Sequence, residues 1–329
     1  MTALLEVRDL VVEIATSRGV VRPVDGVSFD VDEGRTLGLV GESGSGKSMT
    51  LRAVMGLLPQ GARVSHGSIH FRGEDVLALT GARLRALRGR QLSMVFQEPM
   101  SALNPVMRVG DQIAEGPRAH LGLSARKARS YAVELLERVG ISDAARRSRA
   151  YPHELSGGMR QRVMIAIAVS SRPSLILCDE PTTALDVTIQ DQILELLREV
   201  RESSGAGMVY VTHDLAVVSQ VAQSLAVMYA ARIVEHGPAR HVLDEPRHPY
   251  TLGLLRSVPD VGERRELVSI PGRPPNLVDP PDGCRFHPRC ALREDDCLHG
   301  RFLPVETVPG RLTACIHDDE CADLGAAVL

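Results

Sequence analysis

Eight residues, Gly41-Glu42-Ser43-Gly44-Ser45-Gly46-Lys47-Ser48, stand where an apolar run, "TLGLV", gives way to the helical pattern "SMTLRAVMGLL". They fit G-x-x-x-x-G-K-[ST], and the spacing has a physical reason. Glycines let the backbone curl, so that successive N–H groups from Gly41 through Ser43, Gly44, Ser45, Gly46 and Met49 face phosphate oxygens at a helix N-terminus. Lys47 neutralises β/γ charge, and the Ser48 hydroxyl can ligate magnesium. Lys47 is one of only two lysines among 38 basic residues, which makes its placement informative.

A magnesium nucleotide also needs an acid behind the sheet. "SLILCDEP" supplies an apolar strand ending at Asp179 and Glu180. Asp179 is placed to hold magnesium through water, and Glu180 to polarise the attacking water as general base. Cys178, inside the run, reads as a small buried hydrophobe.

These residues require a scaffold of alternating strands and helices. Residues 1 to about 245 alternate β-rich runs ("TLGLV", "LSMVF", "SLILC", "GMVYVT") with helical patterns, which predicts an α/β core with a largely parallel sheet. The first runs, "LLEVRDLVVEI" and "GVSFDV", read as antiparallel and half-buried. A helical insertion is expected at about 98–160, including "ARKARSYAVELLERVG" before its terminating glycine. From residue 246 the composition shifts: eleven of the twenty prolines lie between Pro246 and Pro309, and five of the six cysteines between Cys284 and Cys321. A separate loop-rich module over 246–329 follows.

The bulk numbers exclude some classes. With 329 residues, 44% hydrophobic and 24% charged, and a net charge of −3, the chain can bury a core and lacks the massed positive charge of a nucleic-acid binder. No apolar run reaches the roughly 20 residues of a spanning helix. The N-terminal "MTALLEVRDLVVEI" has no signal-peptide pattern, so a cytosolic, reducing location is expected.

"ELSGGMRQRV", residues 154–163, resembles the signature of ATP-binding-cassette (ABC) proteins. Ser156-Gly157-Gly158 opens a helix, so a hydroxyl and N–H groups again point at an anion. One chain cannot direct two helix N-termini at the same γ-phosphate from opposite sides. The resemblance therefore implies two head-to-tail subunits sandwiching ATP and Mg2+. It also implies a fold with a RecA-like core, an antiparallel β-subdomain and a helical subdomain. By the same resemblance Gln97 ("MVFQEP") is the glutamine sensing magnesium and γ-phosphate, His213 ("VYVTHD") the switch histidine, and Asp186 ("TTALD") the aspartate at the dimer seam. Two departures are visible: Ile14 and Val21 stand where an adenine-stacking aromatic is usual, and Met159 replaces the usual glutamine.

"FQEPMSALNPVMRVGDQIAE", "DEPTTALDVTIQ", "SLAVMYAARIVEHG", "RHPYTLGLLRSVP" and "GCRFHPRC" together resemble the ATP-binding subunits of bacterial dipeptide/oligopeptide importers, with nickel importers the nearest alternative and a nucleic-acid remodeller a distant one. That resemblance implies a peripheral ATPase at the cytoplasmic face of the membrane. Its partners would be a second ABC ATPase, usually a different chain, two permeases and an extracytoplasmic peptide-binding protein. The permeases would dock a short helix near Gln97 to Asp111.

Cys284, Cys290, Cys297 and Cys315 are separated by five, six and seventeen residues, with Cys321 beyond. Thiols on a proline-rich segment in a reducing compartment suit a soft metal centre. The spacing is wide for zinc, and an iron–sulfur cluster tolerates it. Some peptide-importer relatives carry a [4Fe–4S] cluster at matching cysteines, so a cluster is expected. Zinc and plain reduced thiols stay open, and His287, His299 and His317 read as loop histidines within ligand range.

Overall fold

The computed structural model describes residues 3–183, 186–257, 268–300 and 302–326. Apolar content sorts its strands. Thr36–Val40 and Leu175–Asp179 are buried at every position, as parallel strands covered on both faces are. Leu5–Thr16 and Gly19–Val31 mix buried with exposed positions, as antiparallel strands with a wet face do.

The chain forms two compact units, the first comprising Met1–Val31, Thr36–Leu77 and Tyr210–Leu329. One sheet of this unit is antiparallel, in the order Gly19–Val31, Leu5–Thr16, Ala62–Phe71, Glu74–Asp75. The other is mixed. Thr36–Val40 runs parallel to Ser224–Tyr229, which pairs antiparallel with Arg232–Pro238. A hairpin from the cysteine-rich end, Val305–Val308 and Arg311–Thr313, extends the sheet by pairing Thr313 with Glu235 and Leu312 with His236. Gly38, mid-strand, permits close packing: a Cβ there would meet Val218, Ala222 and Leu225 side chains at 3.1 Å.

The second unit comprises Asp32–Arg35 and Ala78–Val209. Its strands Leu92–Val95 and Leu175–Asp179 pair in parallel. Its main helices are Val109–His120, Ala125–Arg138, Gly157–Val169 and Val187–Ser204. Ser124 caps Ala125–Arg138 by accepting from the Lys127 N–H, and Gly205, at φ 67°, closes Val187–Ser204 in the left-handed region. The strand Gly207–Thr212 begins in this unit and ends in the first. Among the described residues no helix is long and apolar enough to cross a membrane.

Burial of Glu235, 1% exposed, needs an explanation. Its carboxylate accepts from Arg311 Nη2 at 3.0 Å and from the N–H groups of Arg247 and His248 at 2.9 and 3.0 Å. The ion pair thereby fixes the hairpin to the mixed sheet, and the two N–H bonds fix the chain at 247–248 to it. Removing one member of a buried pair strands the other charge. Arg311→Met is expected to lower the unfolding free energy by about 3 kcal/mol, measured by chemical denaturation.

Candidate functional site

In the phosphate loop the amino group of Lys47, 4% exposed, donates to the carbonyls of Gly41 at 2.7 Å and Glu42 at 2.9 Å. Two glycines set the curl. A Cβ on Gly41 (φ 153°) would lie 2.0 Å from the Met228 carbonyl oxygen, and one on Gly46 (φ 108°) 2.1 Å from that of Pro23. Only glycine fits either place. Gly46, as N-cap of the helix Lys47–Val54, supplies no side-chain cap. The Ser45 carbonyl accepts from the Ala231 N–H at 2.9 Å, anchoring the loop to the turn after Ser224–Tyr229.

The two groups of predicted site residues fall in different units: the loop residues 41–49 and His213 in the first, Gln97, Ser156 to Gly158, Asp179, Glu180 and Asp186 in the second. His213 is exposed between Thr212, the last residue of a strand, and Asp214, which caps the helix Leu215–Val221.

Within the second unit, Asp179 is the buried last residue of its strand and Glu180 turns out of it with φ 46°. A non-glycine residue there is strained, and active sites are where such strain persists. The Glu180 carboxylate accepts from Gln97 Nε2 at 3.2 Å and from Thr183 Oγ1 at 2.8 Å. The structure therefore brings Gln97 to Glu180, and adds Thr183, a residue of "TTALD" to which the sequence had given no role. The arrangement holds a partly buried carboxyl group beside a fully buried aspartate.

Ser156 caps Gly157–Val169, its hydroxyl accepting from the Met159 N–H at 3.4 Å. Ser156 and Gly157 are exposed, and a Cβ on Gly157 would meet nothing within 4 Å. This helix start is open to an incoming anion. Asp186 acts locally, since its carboxylate accepts from the Ile189 N–H at 3.0 Å and caps Val187–Ser204. Ile14 and Val21 are cross-strand partners, both half-buried.

Cys284, Cys290, Cys297 and Cys315 line a single small cavity together with His287 and His317. The Cys284 N–H donates to the Cys297 carbonyl at 2.9 Å, and Cys297 Sγ lies 3.8 Å from His317 Nε2. Burial, then the nearness of other sulfurs, pushes Cys290 up to about 11 and Cys315 to about 12, and burial raises Cys284 as well. Ionised sulfurs here would require positive charge among them. Among the described residues, however, no group of three or more His, Cys, Asp or Glu side chains is arranged to hold a metal ion. The expected iron–sulfur centre thus has its cysteines on one cavity but no assembled metal site. Cys321 and Cys178 are fully buried, with burial as the leading cause of their raised pKa values.

Comparison with known proteins accounts for both parts of the chain. The family model "ABC transporter" matches residues 24–183, and "Oligopeptide/dipeptide transporter, C-terminal region" matches residues 234–297. A putative peptide import ATP-binding protein of Brucella abortus is 47% identical over 322 residues, 97% of each chain. The oligopeptide transport ATP-binding protein OppD of Salmonella typhimurium is 48% identical over 313 residues, 95% of this chain and 93% of that one. Among solved structures, a dimeric ATP-binding cassette in a post-hydrolysis state with ADP and Pi superimposes with a TM-score of 0.64 at 24% identity, covering 72% of this chain and 99% of the other. That likeness shows the fold, a mixed sheet with helices. With two relatives near half identity over almost its full length, the chain belongs to the ABC transporter family, among the ATP-binding proteins of the oligopeptide/dipeptide type.

Proposed function

We propose that this protein hydrolyses ATP to power the import of dipeptides or oligopeptides through a pair of membrane permeases, working as a peripheral subunit at the cytoplasmic face of the membrane. The observation that carries this reading is the near full-length similarity to peptide-import ATP-binding proteins, including the C-terminal region named for oligopeptide and dipeptide transporters. The division of labour is a nucleotide-binding domain over 1–245, with a helical subdomain at about 98–160, and an extension over 246–329.

In this reading the loop residues Gly41, Ser43, Gly44, Ser45, Gly46, Lys47, Ser48 and Met49 bind the phosphates. Ser48, Gln97 and Asp179 would hold Mg2+; their hydroxyl, amide and carboxylate oxygens are the hard donors it takes, and when bound it offsets charge on the phosphate oxygens. Glu180, kept in place by Gln97 and Thr183, takes a proton from water as the water oxygen attacks the γ-phosphorus. The bond from that phosphorus to the bridging oxygen breaks, leaving ADP and phosphate. His213 steadies the γ-phosphate. Ser156, Gly157 and Gly158 serve the nucleotide of a second ABC subunit, with Asp186 at the seam, and that subunit is a different chain. An extracytoplasmic binding protein delivers the peptide, and closure of the two subunits turns the permeases outward.

Cys284, Cys290, Cys297 and Cys315 would hold a [4Fe–4S] cluster. Their soft sulfur donors converging on one cavity support the assignment, and the cluster when bound would cross-link the extension.

Glu180→Gln is expected to retain ATP binding and to cut steady-state hydrolysis by about a hundredfold or more. Undiminished turnover would remove Glu180 as the base. In a complex with its partner, Ser156→Ala is expected to slow hydrolysis at the partner's nucleotide more than at its own, read by single-turnover kinetics with one site disabled; a fully active monomer would contradict the sandwich. Anaerobically purified protein is expected to contain about four iron atoms and four sulfides per chain. Analysis finding neither would leave the cysteines as reduced thiols.

A further inference from the structure

The loop that must receive a polyphosphate carries a carboxylate of its own. Glu42 stands directly after Gly41. Negative charge there opposes the ligand unless something neutralises it.

The neutralising group comes from the opposite end of the chain. Arg289, whose side chain is 5% exposed, donates from Nη1 to Glu42 Oε2 at 2.7 Å and from Nη2 to Oε1 at 3.0 Å, a two-pronged pair. Its Nε donates to the Pro271 carbonyl at 2.8 Å, so the fork is held from behind. The guanidinium lies 5.7 Å from the Tyr229 ring centre and 5.9 Å from that of Phe286. Burial works against its charge, and hydrogen bonds to Glu42 and Tyr229 outweigh that, so its pKa is raised.

A second contact reaches the same residue. The Tyr250 hydroxyl accepts from the Glu42 N–H at 2.8 Å. Tyr250 is fully buried, and its ring packs against Tyr229 at 4.5 Å and Phe286 at 5.5 Å between centres. "HPYT" and "CRFHPRC", the two motifs of the C-terminal extension, therefore converge on one phosphate-loop residue.

We propose that Arg289 is a positioning residue for the phosphate loop: it neutralises and orients Glu42, with Tyr250 fixing the backbone of the same residue, so that the loop accepts the triphosphate. This rests on reading residues 41–48 as the ATP site. The extension thereby sets nucleotide affinity directly, and Arg289 lies one residue before Cys290 of the thiol-lined cavity.

The test is the Kd for Mg-ATP of the full chain by equilibrium titration, with the nucleotide-free thermal midpoint as a fold control. Arg289→Met is expected to weaken binding about tenfold, the order expected for one uncompensated charge beside the loop. Adding Glu42→Gln to it removes the stranded carboxylate and is expected to restore binding to within about threefold of wild type. Arg289→Lys keeps the charge but loses the fork and should fall between wild type and Arg289→Met. Wild-type affinity in Arg289→Met, or a double variant no tighter than Arg289→Met alone, would overturn the proposal. Should Arg289→Met fail to fold, Arg289→Lys and Tyr250→Phe carry the test, and wild-type affinity in both would overturn it. A wild-type protein that binds no ATP would instead overturn the nucleotide reading itself.

Discussion

A lysine ammonium taken out of water must be satisfied by the chain around it, and the carbonyls of Gly41 and Glu42 do this for Lys47. Those carbonyls can face inward only if the loop is curled, and the curl admits only glycine at 41 and 46. A chain of contacts within the first unit supports the loop. The Ser45 carbonyl is bonded to Ala231, Ala231 in turn accepts from the Asp25 N–H, and the Asp25 carboxylate takes Arg232 at 2.7 Å and Arg285 at 2.5 Å. Arg285 follows Cys284, so the extension reaches the loop's neighbourhood by a second route besides Arg289.

Much of this was legible in the sequence because local chemistry dictates it. The buried runs at 36–40 and 175–179 announce covered parallel strands, and they form them. "ARKARSYAVELLERVG" forms the helix Ala125–Arg138, with Ser124 as cap and Gly140 at φ 73° after it. The family resemblance gave Gln97 a role at the nucleotide, and its side chain meets Glu180 at 3.2 Å.

What the sequence left unread depends on long-range pairing. Nothing local says that Arg289 meets Glu42, 247 residues away, or that Arg311 enters a sheet to neutralise Glu235. Ion pairs of this kind follow no periodicity, and each partner alone reads as an ordinary surface charge. The hairpin at 305–313 was hidden for a related reason: "VETV" and "RLT" are too short and polar to stand out within a proline-rich segment, and only the edge at 232–238 makes strands of them. Thr183 lies in "TTALD" but was given no role there; its role is defined by the carboxylate it touches.

On this structure the protein's own contacts set the phosphate loop before nucleotide arrives. Amide hydrogen exchange at Glu42 and Ala231 in nucleotide-free protein tests it most directly, since each N–H is bonded in the structure to a group that holds the loop, the Tyr250 hydroxyl and the Ser45 carbonyl. Both amides are predicted to be strongly protected without ATP and to change little when it is added. Exchange at the rate of an unstructured chain until ATP binds would contradict a preset loop.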